Sequence, residues 1–166
     1  FASSQPDPRL FPQALWGRLM QQQWRQGASD WMNYGDPQGL ATLRAAISSY
    51  LVQSRGVVCE PEQILILTSS QQGILLATQL LIDAGDTVWV EDPGYPGART
   101  AMESAGARIH PVPVDQEGLN PAGEHPSPRL IYCTPAHQSP LGVPMSLPRR
   151  MGLAESEGGL RLAQTI

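Results

Sequence analysis

Lysine is absent from this 166-residue sequence, in which all 11 basic residues are arginine. Chemistry that needs a lysine amine is therefore excluded for this chain. Cysteine is scarce: Cys59 and Cys133 are the only two, and neither belongs to a CxxC motif or pairs with histidine at metal-ligand spacing. The sequence thus predicts reduced thiols, no disulfide framework and no metal site, as is usual in the cytoplasm.

Long apolar runs, basic stripes and low-complexity tracts are also missing. No apolar stretch reaches the ~18 residues of a membrane span, and no basic segment followed by an apolar one opens the chain as a signal peptide would. The net charge is −4, and the arginines are scattered, which argues against nucleic-acid binding by this chain alone. We therefore expect a cytoplasmic protein without a membrane partner.

What the sequence does contain is an alternation of strand and helix patterns. An extended arm is expected over 1–14 and a helix over 15–26, and an amphipathic helix over 40–54 is followed by Gly56, which suits a C-terminal cap. Beyond it, strands are predicted at 64–68, 87–92, 107–112 and 129–134, and helices at 71–83, 97–105 and 148–157. Residues 113–128, between the last two strands, are predicted to form a surface excursion. This order predicts an α/β fold with a mostly parallel sheet and helices on both faces.

Three of the predicted strands end in polar or turn-rich loops, "TSSQQG", "EDPGYPG" and "TPAHQSPLG". In such sheets ligands collect at the carboxyl ends of the strands. Ser69, Ser70 and Gln71 open a helix, where free backbone N–H groups and the macrodipole favour an anion. The same residues also suit a helix N-cap that binds nothing. Neither a Walker loop nor a Gly-x-Gly-x-x-Gly fingerprint is present.

The second and third loops add an aromatic ring and an imidazole. Tyr95 lies between two Pro-Gly turns that would hold its ring still for stacking on a flat heterocycle, which is worth roughly 0.5–1.5 kcal/mol beyond area burial. A tyrosine packed at a domain seam is the alternative. In the third loop, His137 and Gln138 follow a strand end, and a structural role is the alternative for both.

The motifs "NYGDPQGLATLRAAISSYL", "TSSQQGILLATQLL", "GDTVWVEDPGYPG" and "IYCTPAHQSPLGVPMS" occur in this order. Together they resemble the class I/II aminotransferases, fold type I among pyridoxal-phosphate proteins. The likeness covers about residues 1–155 and is greatest to the aminotransferase-like domain of MocR-type regulators in the GntR superfamily. The opening "FASSQPDPRLFP" resembles the start of that domain, after the linker from a winged-helix DNA-binding domain.

The resemblance implies a cofactor, pyridoxal 5′-phosphate, and residues that hold it. The family turn that matches Ser69, Ser70 and Gln71 binds the cofactor phosphate. The aromatic residue after "DPG" stacks on the pyridine ring, which makes Tyr95 the stacking residue. In the homodimeric enzymes the tyrosine of the "YG" turn reaches the phosphate of the neighbouring subunit, and Tyr34 matches it.

The third loop departs from the enzyme pattern. Enzymes of the family usually carry asparagine before the proline of this loop, where it bonds the 3′ oxygen of the cofactor. Here Ser139 precedes Pro140, and MocR-type domains vary at the same place. His137 and Gln138 are then the expected polar contacts, and Ser139, in the place of the asparagine, is a further cofactor-binding candidate.

The resemblance also implies that part of the domain lies outside this sequence. After Glu157 the chain reads "GGLRLAQTI", where the family continues into strands with an Asp for the pyridine nitrogen, a Schiff-base Lys and later a substrate-binding Arg. We therefore expect the first half of a large domain, a partial three-layer sandwich, with no catalytic residue and no transaminase activity alone. The expected divisions are an arm and helix over 1–32, the partial cofactor-binding domain over 33–157 and a divergent tail over 158–166.

Three functions remain open at this point. The chain resembles the effector-sensing part of a MocR-type regulator, which binds an amino acid or another small effector and contacts DNA only through a separate N-terminal domain. A piece of a true aminotransferase acting on an amino acid is the second reading. The third is a generic α/β module that uses the "SSQQ" turn for another phosphate ligand. Coding sequence upstream of Phe1 separates the first from the second.

Overall fold

A computed structural model describes residues 7–155 and 161–164 of the chain. The chain divides into two compact units, residues 1–66 and 67–166. None of the described helices is long and apolar enough to span a membrane. The expected tail over 158–166 lies partly outside the described residues, as does the start of the expected arm.

The first unit contains two long helices and two short 3₁₀ turns. The 3₁₀ turns span Pro8–Leu10 and Pro61–Gln63. Helix α1, Gln13–Trp31, is longer than the predicted 15–26 and contains one non-helical residue, Gly27. The predicted end at residue 26 lies directly before Gly27, whose φ of −158° and ψ of 24° mark a kink between two helical segments, and the second segment carries α1 on to Trp31.

Helix α2, Ala41–Arg55, confirms the predicted amphipathic helix within one residue at each end. Gly56 terminates it in the left-handed conformation, with φ 66°, which glycine adopts without a Cβ clash. Arg44 of this helix is buried: its guanidinium donates to the carbonyls of Gly39 and Pro61 and to the side chains of Gln38 and Asp36. One arginine thereby fixes the turn "GDPQG" that precedes the helix.

The second unit is the predicted α/β sheet. Its helices are α3, Ser70–Leu81; α4, Pro96–Ser104; and α5, Leu147–Glu155. Its strands are β1, Thr87–Asp92; β2, Arg108–Asp115; β3, Gly118–Leu119; β4, Leu130–Cys133; and β5, Arg161–Gln164. The strand order is β3-β2-β1-β4-β5, and every pair is parallel except β2 with β3. The mostly parallel sheet is therefore confirmed.

Two apolar clusters cover the two faces of this sheet, because successive side chains of a strand point to opposite sides. Val88, Val90 and Leu130 pack with Ile74 of α3 and Met102 of α4 on one face. The cluster on the other face joins the sheet to the segment that leads into α5 and to α5 itself, and consists of Val112, Leu119, Ile131, Cys133, Met145 and Leu153. The sheet is thus a middle layer, and both ends of each strand open onto loops.

Two predictions for the strands were wrong. Ile64 is extended, but residues 64–67 form no ladder with another strand among the described residues; the N–H of Ile66 donates to the carbonyl of Gln38 and Leu65 is exposed. An apolar run becomes a strand only where a second strand lies alongside it. Strand β2 in turn continues through Asp115 rather than ending at residue 112, because β3 folds back on it and pairs with Val114 and Asp115.

Candidate functional site

The N-terminus of α3 presents unpaired backbone donors at the carboxyl end of the sheet. Ser69 is the N-cap, and its hydroxyl accepts the N–H of Gln72 at 3.2 Å. Gly73 donates to the carbonyl of Ser69. For the N–H groups of Ser70 and Gln71 there is no acceptor within the described part of the chain. Two donors at the positive end of a 12-residue helix suit an anion.

The capping and anion readings of the "SSQ" turn are therefore compatible. Ser69 supplies the cap, whereas Ser70 is exposed with its N–H directed out of the first turn. Gln72 also stabilises this turn, since its Oε1 accepts hydrogen bonds from both the N–H and the hydroxyl of Thr68 at 2.8 Å. The hydroxyl run that ends the apolar segment is thus held rigidly before any ligand arrives.

Tyr95 lies beside this helix terminus. It is the N-cap residue of α4, and its phenolic hydroxyl donates to Oε1 of Gln71 at 3.2 Å. The amide of Gln71 also donates to the carbonyl of Gly97 at 2.7 Å. Tyr95 as a whole is 39% exposed, so the residue remains partly accessible while its hydroxyl is held by Gln71. The structure thereby brings together Ser69, Ser70, Gln71 and Tyr95.

Gly97 makes this arrangement possible. A Cβ at this position would lie 2.6 Å from the hydroxyl oxygen of Tyr95 and 2.6 Å from Oε1 of Gln71. Because real Cβ atoms do not approach other atoms so closely, any other residue here would push the ring off Gln71. A cavity of about 230 Å³ adjoins the same turn at the carboxyl end of β1, with Glu91, Asp92, Tyr95 and Arg99 in its lining.

Three predicted site residues remain, His137, Ser139 and Tyr34. His137 and Ser139 are exposed in the loop after β4, and the hydrogen bonds of the described residues do not connect their side chains to Tyr95 or to the α3 terminus. Tyr34 belongs to the first unit and is fully exposed, at 108% of its reference area. Their roles in binding stay predictions.

Sequence reasoning named Gln138 as a polar contact to the cofactor but missed Glu91, and the structure buries the two together beneath two of these loops. Glu91, near the end of β1, is only 4% exposed. Its carboxylate accepts the N–H of Thr134 at 3.0 Å, the hydroxyl of Thr134 at 2.5 Å and the amide of Gln138 at 3.4 Å. The alternation of side chains along a strand could have indicated this position. In "TVWVED", Glu91 lies on the same face of the strand as Trp89 and on the opposite face from Val90.

A buried thiol borders this cluster. Cys133 ends β4, and desolvation in the apolar cluster, followed by the negative charge of Glu91, raises the pKa of its thiol to about 12. A thiol with such a pKa is protonated at neutral pH and therefore is a poor nucleophile. Among the described residues, no group of three or more His, Cys, Asp or Glu side chains is arranged to hold a metal ion.

The family model for aminotransferases of class I and II matches residues 9–148. The chain belongs to this family. Among curated relatives of this aminotransferase-like chain, the probable rhizopine catabolism regulatory protein MocR of Rhizobium meliloti is 39% identical over 156 residues, which cover 93% of the chain and 32% of that protein. The 2-aminoadipate transaminase of Thermus thermophilus is 32% identical, with 93% and 39% coverage.

Solved structures agree with these sequence relatives. One of them is LysN, an alpha-aminoadipate aminotransferase of Thermus thermophilus crystallised with N-(5′-phosphopyridoxyl)-L-leucine. It superposes on this chain with a TM-score of 0.86 at 32% identity, and the match covers 99% of this chain and 42% of the LysN chain. The resemblance to fold type I aminotransferases is thereby confirmed, as is the likeness to MocR-type regulators. The chain spans about a third of the length of the regulators it matches.

Proposed function

We propose that this aminotransferase-like chain supplies one side of a pyridoxal 5′-phosphate site in a MocR-type transcriptional regulator. The observation that carries the proposal is the hydrogen bond from Tyr95 to Gln71, since it sets an aromatic ring beside a helix N-terminus that has two unused N–H donors. A phosphate on the donors and a flat heterocycle against the ring match the two halves of that cofactor.

The described residues fit this group sterically as well as chemically. Gly97 leaves room for the Tyr95 ring that any side chain would take away, and the exposed hydroxyl of Ser70 offers a further donor. Pyridoxal phosphate, when bound, serves as an electron sink for amino-acid chemistry. In this lysine-free chain, the residues bind and orient the cofactor by non-covalent contacts alone.

The regulator is favoured over a true aminotransferase by the relatives. The regulator from Rhizobium meliloti shares 39% of the aligned residues and the Thermus transaminase 32%. The proposal includes a homodimer in which the exposed Tyr34 reaches the partner's site, a small effector or amino acid as the signal, DNA contact through a separate domain, and a cytoplasmic setting for the two free thiols.

Equilibrium dialysis of the 166-residue chain against three ligands tests the proposal. Pyridoxal 5′-phosphate should bind reversibly, because the phosphate contacts and the ring contact act together. Pyridoxal without its phosphate and adenosine monophosphate should bind at least tenfold more weakly, a difference of about 1.4 kcal/mol. Equal binding of adenosine monophosphate supports the generic phosphate module instead, and no binding of the cofactor refutes the proposal.

The choice between regulator and enzyme needs a second experiment. Coding DNA upstream of Phe1 should encode a winged-helix domain in the same reading frame, and the full-length product should bind its own promoter DNA in a cofactor-dependent way. A full-length product without such a domain that converts amino acids with an oxo acid supports the true aminotransferase.

A further inference from the structure

Gln138 occupies the space between the loops that follow β1 and β4. It is 3% exposed, and its amide nitrogen donates to the carbonyl of Pro93 at 2.7 Å and to the carbonyl of Ser139 at 3.1 Å. Its Oε1 accepts the N–H of Leu141 at 2.9 Å. One side chain therefore joins the backbone two residues before Tyr95 to the backbone of the third loop.

Glu91 helps to orient this amide together with the carbonyls of Pro93 and Ser139. All three groups only accept hydrogen bonds, so the amide nitrogen of Gln138 faces them and the amide oxygen faces the N–H of Leu141. Thr134 supplies the other two donors to Glu91. No basic side chain forms an ion pair with Glu91 within residues 7–155. The carboxylate therefore depends on these neutral donors, which a buried charge needs.

We infer that Gln138, oriented by Glu91, is a positioning residue for the pyridoxal-phosphate site: it holds the loop of Tyr95 in register with the loop of Ser139. This inference rests on the proposed function. The Pro93 carbonyl cannot shift without breaking the 2.7 Å bond to Gln138, and Tyr95 is two residues further along the same turn. Anything that loosens Gln138 therefore loosens the stacking ring, although Gln138 touches no ligand itself.

Gln138→Glu tests this inference through a pH profile. The substitution places two carboxylates about as close as the present 3.4 Å contact, and they cannot both ionise easily. The quantity to measure is a ratio, the dissociation constant of the variant for pyridoxal 5′-phosphate divided by that of the wild type at the same pH. This ratio should be about ten at pH 8, which corresponds to one pKa unit of coupling between the two carboxyl groups. At pH 5 one carboxyl is protonated and donates like the amide, so the ratio should return towards one.

Two further variants separate positioning from a general loss of stability. Gln79→Glu adds the same charge at an exposed position of α3 and should keep a ratio near one at every pH. Glu91→Gln combined with Gln138→Glu removes the repulsion between two carboxylates but leaves the new carboxylate facing the carbonyls of Pro93 and Ser139, so its ratio should depend less on pH than that of Gln138→Glu. A Gln138→Glu ratio that does not change with pH, or a double variant as pH-dependent as the single one, overturns the inference.

Hydrogen exchange without any ligand provides an independent measurement. Gln138→Glu at pH 8 should exchange its backbone amides faster than wild type at residues 94–97 and 134–142, whereas α3 should stay protected. The rates are first corrected for the intrinsic effect of pH on exchange. If wild type fails to bind the cofactor, the proposed function is refuted, and this measurement alone decides whether Gln138 couples the loops.

If Gln138→Glu is unfolded at pH 8, Gln138→Met replaces it. Gln138→Met should weaken cofactor binding about fivefold, as expected for loss of the bond to Pro93, the one Gln138 hydrogen bond that reaches the loop of Tyr95, and unchanged binding and exchange overturn the inference.

Discussion

The hydroxyl of Tyr95 donates to Oε1 of Gln71 across 3.2 Å, and this bond joins the first turn of α4 to the first turn of α3. The two residues are 24 positions apart: Gln71 follows the apolar segment 64–67, and Tyr95 follows β1. The bond leaves part of the ring accessible beside the N–H groups of Ser70 and Gln71. Ring and donors therefore form one recognition surface, and each can be removed separately.

Replacing Tyr95 separates its ring from its hydroxyl. Tyr95→Ala should weaken binding of pyridoxal 5′-phosphate about 2- to 12-fold, because the stacking contribution of roughly 0.5–1.5 kcal/mol is lost. Tyr95→Phe keeps the ring and should bind within about threefold of wild type by equilibrium dialysis. Equal losses in the two variants would show that the hydrogen bond, rather than the ring, supports binding.

Ser69 and Ser70 differ in what they contribute to stability. Ser69→Ala removes the N-cap of α3 and should lower the free energy of unfolding by about 1 kcal/mol. Ser70→Ala is the matched control, since its exposed side chain caps nothing, and it should change stability by less than about 0.5 kcal/mol. Urea denaturation followed by circular dichroism measures both. A larger loss in Ser70→Ala contradicts the assignment of the cap.

Arg44 fixes the turn "GDPQG", which directly follows Tyr34. Arg44→Ala leaves Asp36 and three other acceptors without their donor and should cost about 1.5–3 kcal/mol, the range for hydrogen bonds to charged groups. Arg55→Ala removes an exposed arginine from the same helix and should be nearly neutral. Faster hydrogen exchange over residues 36–40 in Arg44→Ala alone is the expected result, and a similar effect of both variants would argue against it.

The two thiols should react very differently. The pKa of Cys133 is raised to about 12, mainly by burial, so native protein at pH 8 should release one equivalent of chromophore from a disulfide reagent, from Cys59. Denaturant should expose the second equivalent. Cys59→Ser should abolish the native reaction, and a rapid reaction of that variant would contradict the burial of Cys133.

The same thiol makes stability depend on alkaline pH. Because the folded-state pKa lies above the ordinary value of 9.0, the unfolded chain loses the Cys133 proton first as pH rises. The free energy of unfolding should therefore be independent of this group below pH 9 and fall between pH 9 and about 12. Cys133→Ala should remove this part of the decline in urea titrations, and an unchanged slope would contradict the assignment.

Absence of lysine has a direct chemical test. A covalent imine with the cofactor needs a primary amine, and in the 166-residue chain only the α-amino group of Phe1 provides one. Borohydride reduction after incubation with pyridoxal 5′-phosphate should give no pyridoxyl adduct on any internal peptide by mass spectrometry. An internal adduct, or turnover of an amino acid by this chain, would refute the prediction.

The elements that the sequence predicts well are those whose signals are local. Helical periodicity defines α2 and α3, Gly56 marks a helix end, and "TVWVED" becomes β1 at the predicted residues. The strand predicted at 64–68 fails for a non-local reason: an apolar run is only half of a strand pair. Periodicity reports what one segment can do and says nothing about whether a partner lies beside it.

The candidate site divides in the same way. Ser69, Ser70, Gln71 and Tyr95 were found because their motifs follow strand ends and resemble a known family. Gln138 was expected to contact the cofactor, but its pairing with Glu91 was missed because the two are 47 residues apart and only folding places a carboxylate against an amide. Polar residues that support a site from below carry no motif of their own.

The distribution of tryptophan gives each unit a separate optical reporter. Trp16, Trp24 and Trp31 all belong to α1, whereas Trp89 is the only indole of the second unit. Trp89 donates to the carbonyl of Pro126 and its ring meets His125 edge-on at 5.3 Å between centroids. With Trp16→Phe, Trp24→Phe and Trp31→Phe combined, the remaining fluorescence comes from the sheet alone. Because that indole contacts Pro126 and His125, a change in its fluorescence would report the state of the 120–128 loop without any added label.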